Sequence, residues 1–468
     1  MTVATDTTLP LDNRIHEVSG SYKREDVLAA ALKRWGENPS ALISRLYKLC
    51  VEMEQILSAQ LNAIIEAPEF CALEARWRGL QEVVWSKGKD QSVKIKLLDI
   101  SWAELSEDLN YASDFRRSAL ANIIGQREFE TLGGEPYGLL VLDHSLSIDV
   151  DTQFDELYTA QLLCDLGAVC VCPLVMGVND DFFGEVDAAW YTDTRRLKNI
   201  LSSKDYAAWQ RLRQIPNARF LGLALPKCQL RGRYEDLDMG FRFHQWPSQS
   251  NGLWGTAATF FAKTAIAEFK SRAWFGFLKL VSGEQGTGAT LARHDAPAPK
   301  GACPTLRARI RLTRATSHFY AEEGFIPIAE STKSNALYFV GNRSITQCGG
   351  NAEAEVLTQL QSVMIACRLV HYIKIQLRSL IGQVLTANEC ETILNDWLDK
   401  YVSTSSMGAK ELQARYPLRG ARIKISQSPS NTARLACEIL LQPQYQIDHI
   451  LGEICLSTDF RTTEGVAA

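Results

Sequence analysis

Residues 139–174 read LLVLDHSLSIDVDTQFDELYTAQLLCDLGAVCVCPL, and the fold turns on this stretch. It opens on a short apolar run, 139–143, set off by Gly138, and closes on another, 169–174. Such runs are too short for helices and match buried strands, whereas the apolar spacing across 152–166 is that of a helix. Strand, helix, strand in succession marks an α/β or mixed sheet.

The same alternation extends in both directions, over about 76–281. Strands are expected at 93–98 and 220–225, and helices at 194–201, 206–212 and across the aromatic-rich stretch 253–277. Upstream, 22–35 predicts a helix with Val27, Leu28, Ala31, Leu32 and Trp35 on one face. A longer amphipathic helix follows over 40–67, ended or kinked by Pro68. Residues 283–301, rich in Gly, Ala and Pro, read as a loop. At 306–313 apolar and basic residues alternate, so a half-buried strand is expected to carry Arg307, Arg309 and Arg311 on one side. A long helix is expected over 352–385. Thr386 and Glu389 hold the first and fourth positions of a capping box for the next helix, which reaches about Val402. The chain closes on a hairpin pattern, 421–426 and 433–441, with Pro429 and Asn431 in the turn. The fold class is therefore α/β in the broad sense (mixed α+β), with long helices, a mixed central sheet and a C-terminal β-hairpin.

Composition narrows the function classes. The 468 residues, 46% hydrophobic and 22% charged, suit a folded, water-soluble protein of two or three lobes. With 50 basic against 54 acidic residues, the formal charge of −4 argues against nucleic acid as a partner. The N-terminus lacks the basic start and apolar stretch of a signal peptide, and no apolar run approaches membrane-spanning length, so a cytoplasmic protein is expected. Its twelve cysteines are then reduced thiols, mostly in apolar runs.

No residue pattern specifies catalysis. Cys170 and Cys172 have a chelating spacing, but no second pair stands at zinc-site distance. Gly283, Gly286 and Gly288 form a glycine-rich loop without the lysine and hydroxyl residue of a phosphate loop. Asp180–Asp181 and Asp236/Asp238 lack the spacing of a calcium loop. His371 sits within a helix and reads as structural, and there is no Gly-x-Ser-x-Gly elbow. No catalytic residue, cofactor or metal is therefore expected. A soluble cytosolic enzyme with a scattered active site is the alternative from another class. The arginine face has two readings: a solvated or edge-protecting strand face, or a surface for an acidic partner.

Three stretches carry a resemblance to a known family: QLNAIIEAPEF (60–70) with LEARWRGL (73–80), GGEPYGLL (133–140) and ELQARYPL (411–418). Shorter echoes are LWG (253–255), CPT (303–305), GFIP (324–327) and HYIK (371–374). In this order, across about 45–450, they resemble the large subunit of the contractile sheath of bacterial type VI secretion systems, the TssC/VipB family. The resemblance implies a structural protein that assembles with a small subunit, TssB/VipA, and with other copies of itself in a helical lattice around a tube of Hcp hexamers. A baseplate and the disassembly ATPase ClpV are the further partners implied. The expected organisation is an outward-facing N-terminal arm with helices (1–55), a main α/β domain (56–365) and a tube-facing helical and hairpin domain (366–468). The 22–35 helix is expected to be the handle for the ATPase. The hairpin, through Ile423, Ile425, Leu435, Cys437, Ile439 and Leu441, is expected to complete a sheet with strands of other chains, or else to close the subunit's own. A non-polymerising subunit of the same apparatus is a third reading.

Overall fold

A computed structural model describes residues 29–30, 33, 39–148, 154–184, 191–234, 237–238, 241–245, 252–276, 278–279, 290–291, 307–330, 336–347, 355–356, 358–380, 387–403, 416–428, 431–443 and 454–461. The chain divides into two compact units, Met1–Ala67 with Tyr234–Pro247, and Pro68–Arg233 with Ser248–Ala468. Among the described residues, no helix is long and apolar enough to cross a membrane.

In the first unit, helix α1 (Pro39–Ile65) carries the expected amphipathic stretch. Its Asn62 amide donates to the Ser58 carbonyl at 2.8 Å and reaches the His244 carbonyl at 3.4 Å. Leu237–Asp238 pairs antiparallel with Arg242–Phe243 in the same unit. The stripe Val27, Leu28, Ala31, Leu32 and Trp35 lies outside the described residues.

The second unit is built on a mixed sheet. Strands β1 (Leu140–Leu146), β2 (Leu174–Val178) and β3 (Leu221–Leu225) run parallel with the later β6 (Phe325–Glu330). Strand β7 (Leu337–Phe339) then pairs antiparallel with β6, and Thr290–Leu291 closes that side. Both β2 and β3 are buried at every residue, the pattern of strands covered on both faces. Side chains alternate between two cores: Leu174, Met176, Leu221, Leu223 and Phe325 enter one, and Val175, Ala224, Ile326 and Ile328 the other.

The first core is roofed by α4 (Glu156–Cys170), with α5 (Thr194–Leu201), α6 (Ala207–Gln214) and α8 (Arg314–Glu322), around Trp209, Phe182 and Tyr320. The opposite face takes α7 (Ala257–Arg272) and the long α9 (Leu360–Leu380). Gly222 is needed here, because a Cβ would lie 2.7 Å from Ile326 Cδ1 and 3.0 Å from Leu360 Cδ2, where α9 begins. Between β3 and α7, β4 (Cys228–Arg231) pairs with β5 (Leu253–Gly255). Helix α2 (Pro68–Lys87) and helix α3 (Trp102–Tyr111) lie upstream, the latter opened by a Ser101–Glu104 capping box.

Three expected strands differ. The 169–174 strand starts later, at Leu174: α4 continues to Cys170 and ends with Val171 in the left-handed region (φ 51°) and Cys172 N–H bonded back to the Gly167 carbonyl at 2.9 Å. A continuous apolar run suits a helix end as well as a buried strand, so periodicity could not separate them. Residues 93–98 form no ladder; Lys94 pairs with Glu135, and Lys96 with Glu128 at 2.6 Å. The 306–313 strand reduces to one bridge, Cys228 to Ala308, before the chain bends at Arg309 and Ile310. The alternation of burial survives the missing ladder, because Ala308, Ile310 and Leu312 still enter the cores.

At the C-terminus, α10 (Ala387–Leu398) packs on an antiparallel sheet of β8 (Leu418–Ser428), β9 (Asn431–Pro443) and β10 (Ile454–Arg461). Ile423 stands opposite Ile439, and Ile425 opposite Cys437. Thr386 of the expected capping box lies outside the described residues.

Candidate assembly surfaces

Among the described residues, the candidates for catalysis or metal binding do not converge. Among the described residues, no group of three or more His, Cys, Asp or Glu is placed to hold a metal. Burial pushes the Cys170 thiol up to about 12 and the Cys172 thiol well above its ordinary value, so neither offers a thiolate at neutral pH. Asp180 is engaged by Lys227 at 3.2 Å and by Arg309. Burial drives the His371 imidazole down to about 4, only partly opposed by hydrogen bonds to the carbonyls of Cys170 and Val171. Gly283, Gly286, Gly288 and Asp236 lie outside the described residues.

Helix α2 is polar on the side that meets the body. Glu74 receives Arg231 Nε and Nη2, each at 2.7 Å, Glu82 receives Lys263 at 2.7 Å, and Lys270 donates to the carbonyls of Ser86 and Lys87 at 2.9 and 3.0 Å. Burial pushes the Glu74 carboxyl up, but the hydrogen bonds and charges of Arg231 and Arg78 outweigh it and hold the group below the usual carboxylate range. Gly79 permits the approach, since its Cβ would meet Thr259 Cγ2 at 3.3 Å. Outward, at helical spacing, stand Phe70, Leu73, Trp77 and Val84, with Leu73 52% and Trp77 61% exposed. A helix with charges inside and aromatics outside is built to be covered by something else.

The apolar face of the C-terminal sheet is already covered. Ile423, Cys437, Ile439 and Leu441 are buried with Leu394 and Leu398 of α10, and Ile425 packs against them. Leu435 holds its ladder position between Gln427 and Phe460. The middle of the outer edge of β8 is occupied by side chains: Asn395 accepts from Ile423 N–H at 2.9 Å and donates to its carbonyl at 3.0 Å, and Glu391 accepts from Ile425 N–H at 3.0 Å. On the opposite side, no strand among the described residues pairs with the outer edge of β10.

Residues 307–309 are clamped into place. The Arg307 carbonyl accepts from Gln229 N–H, Arg309 N–H donates to the Lys227 carbonyl, and Ala308 N–H donates to Glu330 Oε1, all at 2.8 Å. Arg307, Arg309 and Arg311 project to the exposed side, as does Arg314 in the first turn of α8.

Glu74, Arg231, Glu391 and Asn395 escaped the sequence reading because their partners are far along the chain. The one local signal was the four-residue spacing of Glu391 and Asn395, which sets two polar residues on the helix face that also carries the buried Leu394 and Leu398.

Comparison with known proteins then bears on what these surfaces serve. Residues 48–346 match the VipB model, described as the EvpB-type tail sheath N-terminal domain, and residues 350–460 match its companion, the tail sheath gpW/gp25-like domain. The type VI secretion system sheath protein TssC1 of Pseudomonas aeruginosa is 25% identical over 426 residues, 87% of this chain and 84% of that protein. Among solved structures, the sheath tail protein of Desulfitobacterium hafniense aligns at 9% identity and a TM-score of 0.31, covering 65% of this chain and 60% of its own. That of Listeria innocua aligns at 10% and 0.35, over 70% and 57% of the two chains, and a chain of the anti-feeding prophage baseplate at 8% and 0.35, over 81% and 82%. The first match alone spans more than half of the sequence, and the second follows it directly, so the chain belongs to the VipB family of tail sheath proteins.

Proposed function

We propose that this chain is the large subunit of a type VI secretion contractile sheath, which assembles with a small sheath subunit (TssB/VipA) around an Hcp tube and contracts to propel it. The observation that carries the reading is α2, whose charged side is tied to the body and whose Phe70, Leu73, Trp77 and Val84 face outward. Such a stripe costs solubility in a free subunit and is used up in an assembly. The 25% identity to a type VI sheath protein supports the same assignment.

In this reading the chain is structural and performs no catalysis itself. The energy resides in lattice contacts that have two discrete packings, and contraction is the passage from one to the other. Residues 1–55 form the outward arm, 56–365 the main sheath domain and 366–468 the tube-facing domain. The C-terminal sheet joins subunits at the outer edge of β10, since Asn395 and Glu391 occupy the edge of β8. Residues 22–35 serve as the handle for ClpV, and the baseplate seeds the lattice. A place in the cytoplasm follows from this role.

Coexpression with the small subunit, followed by negative-stain electron microscopy, tests the reading. Long tubules are expected, with the chain alone insoluble or heterogeneous. Discrete globular particles in the presence of the partner, or a stable monodisperse monomer without it, would overturn it.

A further inference from the structure

Four guanidinium groups stand within eight residues, Arg307, Arg309, Arg311 and Arg314, with no acidic residue among them. A row of one sign needs a reason, because like charges repel and an ordinary solvated surface mixes them. Edge protection, the usual reason in a strand, is not available. Residues 307–309 are bridged to β4 on one side, and on the other the Ala308 N–H is taken by Glu330. No ladder remains there for the arginines to guard.

Nor do the described residues neutralise them all. Arg309 pairs with Asp180, which Lys227 also engages, so one carboxylate is shared by two cations. Among the described residues, Arg307, Arg311 and Arg314 have no carboxylate partner, and all three are exposed. The backbone beneath them is rigid, held by three 2.8 Å hydrogen bonds and by buried Ala308, Ile310 and Leu312. A fixed backbone that presents guanidinium groups loses less freedom on binding than a floppy basic tail would.

We infer that the strap at 307–314 is a docking surface for a carboxylate-rich protein segment, supplied by an adjacent subunit of the assembly. Carboxylate is favoured over phosphate on one observation. The one guanidinium already partnered in this row is held by a carboxylate, that of Asp180. That the segment belongs to a neighbouring subunit rests on the sheath reading; the acidic chemistry does not.

The full chain, copurified with its small subunit, is titrated with a fluorescein-labelled oligoglutamate peptide and followed by anisotropy. A single-stranded oligonucleotide and anionic phospholipid vesicles are run in parallel. The peptide binds, its affinity falls as salt is raised, and the double variant Arg307→Gln/Arg311→Gln weakens it by about tenfold or more. Absence of peptide binding, an unchanged affinity in the double variant, or tighter capture of the oligonucleotide or vesicles overturns the inference. Tubule formation by the same preparations separates it from the sheath reading. Tubules whose formation and peptide affinity ignore the substitutions sink the docking surface alone, whereas arginine-dependent peptide binding without tubules in any variant sinks the sheath and keeps the surface.

Discussion

Glu74 and Arg231 meet through two 2.7 Å contacts, with side chains only 12% and 4% exposed. An ion pair so placed is worth little against a well-packed apolar replacement, but removing one member strands the other in a dry site at a cost of about 3–5 kcal/mol. Glu74→Ala should therefore lower the thermal midpoint of the copurified complex markedly, and Glu74→Leu/Arg231→Met should restore most of it; equal losses in both would show that the charges themselves are required. His371 sets a pH limit. Its folded value of about 4 lies below the ordinary 6.5, so between these pH values the unfolded chain binds a proton that the folded chain refuses. The contribution is fully present above about pH 6.5 and is lost as pH falls toward 4, and the depressed Glu74 acts in the same direction at lower pH. Midpoints measured across pH 4–7 should fall on acidification with a slope of up to ~1.4 kcal/mol per unit from this ring. His371→Gln should flatten that part of the curve, whatever it does to absolute stability.

At the scale of elements, α2 allows folding and assembly to be separated. Leu73→Glu/Trp77→Glu places charge where the side chains are 52% and 61% exposed, so the thermal midpoint of the chain should move by little, within the ~0.5 kcal/mol usual for surface changes. Copurification of the small subunit should be lost; full recovery of the partner in a pull-down would show that the stripe serves another purpose. How far the sequence revealed each element depended on where its partners lie. The helix 194–201 was legible to the residue, because Leu197 and Leu201 face the core with Ile200 packed beside them and the remaining positions are polar. The buried strands β2 and β3 showed as apolar runs, whereas the boundary at Val171 did not, since a β-branched residue gives no sign of a left-handed cap. The 306–313 alternation identified the exposed arginines without a ladder, for the period reports which side is buried rather than what is bonded. Asn395 and Glu391 were invisible because their partners on β8 stand 28 and 34 positions along the chain.

At the scale of the molecule, the family match begins at residue 48 and leaves the role of the segment before it to experiment. If residues 22–35 are the handle for disassembly, deleting residues 1–38 should leave tubules intact by electron microscopy while contracted sheaths persist in the presence of the ATPase. Loss of tubules would instead make that segment part of the lattice. The occupied margin of the C-terminal sheet bears on how growth could be contained. If subunits join by strand addition, then among the described residues the sheet has a valency of one: Asn395 and Glu391 occupy the edge of β8, and the edge of β10 is left to accept a strand. Two such sheets would then meet as a closed pair, and runaway stacking of sheet upon sheet, the route to amyloid, would terminate after one step. Growth of a lattice would then rest on surfaces other than this sheet.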